Sequence, residues 1–367
     1  MKFSINESVA SINAYEPGKP LKEIEQKYNI AHAVKLASNE NPFGFSPGVG
    51  KAVTSCLHEM NRYPESSAGS LCEALADKYH VNKENIVVGN GSDDIIALLT
   101  HAFLSPGDEA LMPVPSFLIY EISVKTAKGN PVMVPLVDYT INLDGFIEIL
   151  SAKTKMIFIT NPFNPTGSTI SKEVFHMFLD KVPADVMVIV DEAYIEFVRD
   201  PDVFNSLKNP LAYPQIVTLR TFSKAYGLAG FRIGYGVMDQ NVADILNRIR
   251  QPFNVNSLAQ AAAVAALEDE VFLKESVHAI HSGLDFLFTE LNRLSLDCLP
   301  TQSNFLMVDL KTDASDVSEK MIRQGVIVRS MKSYGLGTFI RVTTGTPEEN
   351  KRFISGLETV LKRRKNA

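Results

Sequence analysis

The residues best able to do chemistry in this chain stand where short apolar runs end. In Val186–Tyr194 (VMVIVDEAY) five apolar residues run directly into Asp191. A carboxylate at the end of a buried strand is costly unless a cation or a hydrogen-bond donor meets it. A protonated ring nitrogen would be such a partner, and Tyr194 could bring a phenol beside the ring. In Ile216–Gly236 a strand leads into Ser223 and Lys224; four glycines follow, at 227, 230, 234 and 236, with Arg232 among them. A lysine near the end of a buried strand is a candidate nucleophilic amine. The glycines let backbone approach a ligand closely, and an arginine fork suits phosphate.

Two further clusters follow the same pattern. Asn85–Asp94 (NIVVGNGSDD) runs from a strand through Gly89 and Gly91 into Ser92 and Asp93, then into the helical IIALLTHAF. Backbone N–H groups at a helix start bind anions, phosphate above all, and Ser92 and Asp93 are also good N-cap types. Asp94 stands where a dinucleotide fingerprint would have its third glycine, which argues against that class. In Lys155–Gly167 (KMIFITNPFNPTG) a strand ends in two Asn-Pro pairs. Proline restricts the residue before it, so Asn161 and Asn164 become rigidly aimed amides suited to a ligand oxygen. Together the clusters offer a phosphate cradle, a positioned amide, a buried carboxylate and a lysine with a nearby arginine. Pyridoxal 5′-phosphate (PLP) needs each of these.

The elements that must position these residues alternate along the chain. Candidate strands are Asn85–Val88, Glu109–Met112, Pro131–Pro135, Lys155–Thr160, Val186–Val190, Ile216–Arg220 and Ile233–Val237; helical patterns such as Ser92–Phe103, Ser116–Lys128 and Lys172–Leu179 separate many of them. Such alternation predicts an α/β fold with a largely parallel sheet covered on both faces, ligands gathering along one edge. A long helix over Asn241–Lys274, with the Ala-rich run Ala259–Leu267, should link to a smaller α+β lobe. Its strands are Asn304–Asp309, Val326–Arg329 and Thr338–Thr343, and Glu348–Arg364 is its closing helix. The first 35 residues read as an arm rich in turn formers.

Composition narrows the class. With 367 residues, 45% hydrophobic, 21% charged and a net charge of −6, the chain predicts a two-lobed globular protein without a basic field for nucleic acid or an anionic membrane. The basic run from Lys362 to Lys365 suits the end of a last helix. Apolar runs fall short of a membrane helix, and the first residues lack the core of a signal peptide, so a cytoplasmic location is expected. Cys56, Cys72 and Cys298 fit neither a disulfide framework nor a zinc site, and His278 and His281 lack a third ligand close by; no metal is expected.

At these residues the chain resembles, from Asn6 to about residue 360, the fold-type I, class I/II aminotransferases, and within them the histidinol-phosphate aminotransferase family. The resemblance implies a large domain with a mostly parallel seven-stranded sheet flanked by helices, plus a smaller α+β domain. The boundaries would be an N-terminal arm and part of the small domain (1–35), the large PLP-binding domain (36–255), and a linking helix with the small C-terminal domain (256–367). It implies that Lys224 carries PLP as a Schiff base, that Asp191 pairs with the pyridinium nitrogen, and that Asn164 and Tyr194 bond the cofactor's 3′-oxygen. Ser92, Asp93, Ser223 and Arg232 would hold its phosphate. Phe117, in PSFLIY, would stack on the ring; many relatives have tyrosine there. Tyr63, in RYPES, would reach the phosphate from the neighbouring subunit, which implies a homodimer with shared active sites. Tyr15 would touch substrate across that interface, and Asn39 would lie near it.

Substrate choice falls to the smaller lobe. Arg329 and Arg341 both follow apolar strand residues, where a bare arginine calls for an anionic partner, either a structural carboxylate or a substrate. The resemblance assigns Arg341 to a substrate anion, and a guanidinium fork serves phosphate and carboxylate alike. The implied reaction transfers an amino group from L-histidinol phosphate to 2-oxoglutarate, giving imidazole-acetol phosphate and L-glutamate, a step of histidine biosynthesis. An aromatic amino-acid aminotransferase is the alternative, since imidazole and phenyl rings are similar flat shapes. A PLP lyase such as threonine-phosphate decarboxylase is a further one. A non-enzymatic regulator on this fold would need an appended DNA-binding domain, for which there is no room.

Overall fold

The computed structural model describes residues 5, 7–12 and 20–365. Its centre is a seven-stranded sheet: β1 (Ile86–Gly89), β2 (Glu109–Val114), β3 (Asn130–Pro135), β4 (Thr154–Thr160), β5 (Met187–Asp191), β6 (Ile216–Thr221) and β7 (Gly234–Val237). The spatial order is β1-β7-β6-β5-β4-β2-β3. Only β7 runs against the rest, pairing antiparallel with both β1 and β6; the other neighbouring pairs are parallel. β4, β5 and β6 are buried almost throughout, because helices cover both faces. The expected strands therefore appear within a residue or two of their sequence positions. The C-terminal ends of six strands and the start of β7 meet at one edge, which is where the chemistry-bearing clusters emerge.

A second sheet of four strands, Arg329–Ser330, Phe339–Thr343, Phe305–Asp309 and Asp297–Cys298 in spatial order, is wholly antiparallel. The helices Ala314–Arg323 and Pro347–Lys365 belong to the same hydrophobic cluster, through Val317, Met321, Phe353 and Leu357. The single strand expected over Val326–Arg329 is two: Val326–Ile327 pairs in parallel with Val34–Lys35, and after Val328 the chain changes partner to Phe339–Thr343. The segment before residue 36 is likewise more than an arm, since it holds the helix Leu21–Tyr28 as well as that strand.

The helix expected over Asn241–Lys274 is broken twice: Gln240–Ile249 ends at Arg250, and the next helix, Ser257–Glu268, begins only after its cap Asn256. Ser257–Glu268 ends at Asp269, whose carboxylate accepts from Phe272 N and so caps a new helix, Glu270–Arg293. A second bond, from Ser46 Oγ at 2.5 Å, ties this cap to the start of the helix Pro47–Cys56. The first half buries Ala259, Ala262, Ala263 and Ala266 in one cluster with Val49 from Pro47–Cys56, and their small side chains permit close approach.

Candidate active site

A cavity of about 280 Å³ opens at the sheet edge, between the two sheets. Ser92, Asp93, Phe117, Asn164, Asp191, Tyr194, Ser223, Lys224, Arg232, Asn39, Arg329 and Arg341 all line it. Residues spread over more than 300 positions thus converge on one volume. Among the described residues, one expected site residue does not join them. Tyr63 is 83% exposed, its ring stacked on Phe253 with centroids 4.7 Å apart. Tyr15 lies outside the described residues.

Asp191 ends β5 with its side chain buried. The carboxylate is satisfied within the protein: Oδ2 accepts from the Tyr120 hydroxyl at 2.6 Å and Oδ1 from Ala193 N at 3.1 Å. Burial nevertheless pushes its pKa up to about 6, against the lowering effect of those two donors. An arriving cation would relieve that cost. Lys224 extends into the same cavity, where Nζ donates to the Ser38 carbonyl at 3.3 Å and stands 5.7 Å from the Tyr194 ring centroid. The Tyr194 hydroxyl accepts from Asn39 Nδ2 at 3.0 Å. Asn39 itself has φ 55 and is buried, fixed by Thr343 Oγ1 and by Asn304. It therefore acts first as the support of Tyr194, while lining the cavity.

The anion cradle has a tight construction. Gly91, at φ 84, holds the cap position of the helix Ser92–Phe103, and no side chain caps that helix. The capping expected of Ser92 and Asp93 is not observed: both lie within the first turn, behind a glycine whose conformation turns the chain into the helix. Arg232 faces them, with Nη2 3.5 Å from Asp93 Oδ2 and Nη1 3.5 Å from Ser223 Oγ. A Cβ on Gly91 would stand 2.6 Å from Arg232 Nη2, and one on Gly234 would stand 2.5 Å from Ser92 N. Both glycines are what let strand, helix start and guanidinium close around one point.

The two Asn-Pro pairs separate in role. Asn161 is fully buried, and its amide bonds backbone, donating to Phe204 O and accepting from Ile170 N. It shapes the loop and does not face a ligand, contrary to the reading from sequence. Asn164 does line the cavity, with its Oδ1 accepting from Arg341 Nη1 at 2.6 Å. Its Nδ2 is then the group left to donate to a ligand oxygen. Arg341 also donates to Ala37 O and lies over the Phe305 ring. Arg329 stands directly opposite Arg341 in the antiparallel pair. Like charges so placed repel, and among the described residues no carboxylate pairs with Arg329. The arrangement favours an anion shared between them.

Sequence reasoning missed several residues here. Tyr120 is fully buried between Asp191 and Thr160 and stacks on Phe158. Its ring also meets Phe117 edge-on at 5.6 Å. The available signal was its place three residues after Phe117 on the helix Leu118–Thr126. Behind the site, Glu192 and Arg220 form a buried ion pair: Arg220 Nε and Nη2 both donate to Glu192 Oε2, at 3.0 and 2.8 Å. Tyr79 and Asn205 accept from the same guanidinium, and Ser206 donates to Glu192. Adjacent strands carrying Asp191 and the Lys224 loop are locked together by this network. Among the described residues no group of three metal-ligating side chains occurs, and His281 bonds the Phe197 carbonyl.

The donor set thus suits a flat ring with a protonated nitrogen over Asp191, an electrophilic carbon near Lys224 and an anionic arm in the Gly91–Arg232 cradle. Comparison with known proteins agrees. The model of the aminotransferase class I and II family matches residues 31–357. A histidinol-phosphate aminotransferase 2 of Carboxydothermus hydrogenoformans is 44% identical over 361 residues, 97% of this chain and 99% of the relative. A histidinol-phosphate aminotransferase of Desulfotalea psychrophila is 41% identical over 365 residues, 99% and 96% of the two chains. Among solved structures, the histidinol-phosphate aminotransferase from Sinorhizobium meliloti in complex with pyridoxal-5′-phosphate superimposes with a TM-score of 0.91 at 26% identity, covering 99% of each chain. This chain belongs to the aminotransferase class I and II family.

Proposed function

We propose that this aminotransferase uses PLP to move the amino group of L-histidinol phosphate to 2-oxoglutarate, yielding imidazole-acetol phosphate and L-glutamate. The observation that carries the reading is the pairing of Arg329 with Arg341 above a cavity that also holds Lys224 and Asp191. Two guanidinium forks at one mouth suit a substrate phosphate in one half-reaction and a carboxylate in the other. The relatives' name supplies the particular donor. When bound, PLP supplies an electron sink for the substrate carbon that loses its proton.

The chain's own residues would divide the remaining work. Ser92, Asp93, Ser223 and Arg232 hold the cofactor phosphate, and Phe117 covers the ring. Asn164 Nδ2 and the Tyr194 hydroxyl donate to the ring oxygen, and Asp191 keeps the ring nitrogen protonated. Lys224 Nζ would hold the cofactor covalently and, as a free amine, would take the proton from the amine-bearing carbon of the donor. Asn39 orients Tyr194. Exposed Tyr63, with Leu57 and Met60 also exposed nearby, supports a homodimer in which Tyr63, and Tyr15 with it, reach the partner's site. The chain would divide into 1–35, the N-terminal arm and part of the small domain, 36–255, the large domain, and 256–367, the linking helix and small domain, a division that the separate antiparallel sheet supports. No helix among the described residues is long and apolar enough to cross a membrane; we place the enzyme in the cytoplasm.

A screen of amino donors on the PLP-loaded protein tests the reading, with cofactor absorbance reporting the half-reaction. Conversion by glutamate and by histidinol phosphate, much faster than by phenylalanine or tyrosine, is expected. Equal or faster conversion by the aromatic amino acids, with none by histidinol phosphate, would make this an aromatic aminotransferase. Release of CO2 without a keto-acid requirement would make it a lyase.

A further inference from the structure

We infer that Tyr120 is a positioning residue that holds Asp191 ionised and aimed into the cavity, through a directed chain of hydrogen bonds from Thr160. The chain's direction follows from its chemistry. An ionised carboxylate only accepts, so the 2.6 Å contact is donated by the Tyr120 hydroxyl. That hydroxyl has one proton, so its 2.9 Å contact with Thr160 Oγ1 is donated by threonine. Thr160 and Asp191 are register partners on β4 and β5, which fixes the receiving end of the chain. The ring of Tyr120 is clamped by stacking on Phe158 (4.7 Å, 17°) and by the edge of Phe117. Burial keeps the phenol protonated well beyond its ordinary range, so it stays a donor at any working pH.

The charged and titratable groups facing Asp191 come from several elements. Tyr120 comes from its helix, Asp93 from the first turn of Ser92–Phe103 and Lys224 from the loop after β6, while Tyr194, from the turn after β5, lines the same cavity. Asp93 raises the Asp191 pKa; Lys224 and the Tyr120 hydroxyl lower it. Tyr120 is the one of these that hydrogen-bonds the Oδ2 atom, so removing its hydroxyl leaves that oxygen buried without this donor. The protonated form of Asp191 then gains. A carboxylic acid in that place would share its own proton with a ring nitrogen instead of holding a protonated one.

This inference rests on Asp191 facing the PLP ring, but its first readout needs no cofactor. The Asp191 carboxyl is titrated by ¹³C NMR in the cofactor-free protein, with Asp191→Asn supplying the assignment. Wild type should titrate at about 6, and Tyr120→Phe about one to two units higher, the size of a hydrogen bond to a charged group. The phenyl ring preserves both aromatic contacts, so folding should survive. PLP affinity is the second readout. The ratio of variant to wild-type Kd should be about tenfold at pH 6.5 and fall toward one by pH 8.5, as Asp191 ionises in both. An unchanged carboxyl titration, or a Kd ratio independent of pH, overturns the proposal and leaves Tyr120 a packing residue. Should Tyr120→Phe fail to fold, Thr160→Val is titrated in its place. An upward shift of less than a unit supports the chain, and no shift overturns it. If the titrations differ as expected but wild type binds no PLP, the functional reading fails while the hold of Tyr120 on Asp191 stands.

Discussion

Gly234→Ala is the sharpest test of the anion cradle. The added Cβ would lie 2.5 Å from Ser92 N, 2.9 Å from Arg220 O and 2.9 Å from Gly91 C. Ordinary contacts begin at 3.4 Å, so the 2.5 Å contact must open by 0.9 Å and each 2.9 Å contact by 0.5 Å, and every neighbour is backbone. No side chain can swing away. Overpacking of this kind costs roughly 1–3 kcal/mol. The atoms displaced are the first N–H of the helix Ser92–Phe103 and its cap glycine, so the cost should fall on whatever anion they bind. At a factor of ten per ~1.4 kcal/mol, affinity for a phosphate-bearing ligand should drop about 5- to 150-fold. The assay compares PLP with pyridoxal, which lacks the phosphate. Only PLP should lose affinity. As a control, Gly50→Ala adds a methyl with nothing within 4 Å inside the helix Pro47–Cys56. It should bind both ligands normally and gain up to ~1 kcal/mol of stability. Equal losses for PLP and pyridoxal in Gly234→Ala would refute the argument, because the damage would then not be confined to the phosphate end. No loss for either would remove the phosphate from this cradle altogether.

Other perturbations probe different parts of the site. Lys224→Ala should abolish turnover and covalent capture of PLP; near-normal turnover would end its assignment as the nucleophile. Arg220→Met strands the fully buried Glu192 carboxylate, which should cost roughly 3–5 kcal/mol in urea unfolding. Adding Glu192→Gln should restore part of that loss, and a double variant no better than the single would show that the pair is not coupled. The pH dependence of Asp191 carries a definite sign. Its folded pKa of about 6 lies above the ordinary 3.8, so the folded state holds the extra proton between those values. Its burial penalty, roughly 3 kcal/mol at most, is therefore fully present above about pH 6 and fades as pH falls toward 4. Cofactor-free wild type should thus gain stability relative to Asp191→Asn on acidification from pH 7 to 4. A flat difference across that range would contradict the assignment.

What the sequence made legible follows from where information sits in an α/β sheet. Strands buried on both faces read as continuous apolar runs, so the residues that break them, such as Asp191 and Lys224, stand out at the edge where ligands bind. Their supports do not stand out. Tyr120 reads as one more large residue on a half-buried helix, and its partner lies 71 positions away on another element. The meeting is decided by sheet order, which brings β2 beside β4 although β3 lies between them in sequence. Arg220 was equally silent, a polar residue in an apolar strand whose partner Glu192 follows the obvious Asp191. Local rules also met competition. The helical pattern over Asn241–Lys274 suggested one helix, yet the chain leaves it between Ile249 and Ser257 and again at Asp269, which has both a cap to offer, at Phe272 N, and a tertiary bond, from Ser46. At Ser92 the same preference for a capping side chain was overridden by Gly91, whose positive φ only glycine adopts freely. A side-chain cap there would occupy the helix end that the cradle presents to its anion. The local rule fails at that turn because Gly91 takes the cap position and leaves the first N–H groups of the helix without a side-chain cap, which suits the phosphate proposed for this end.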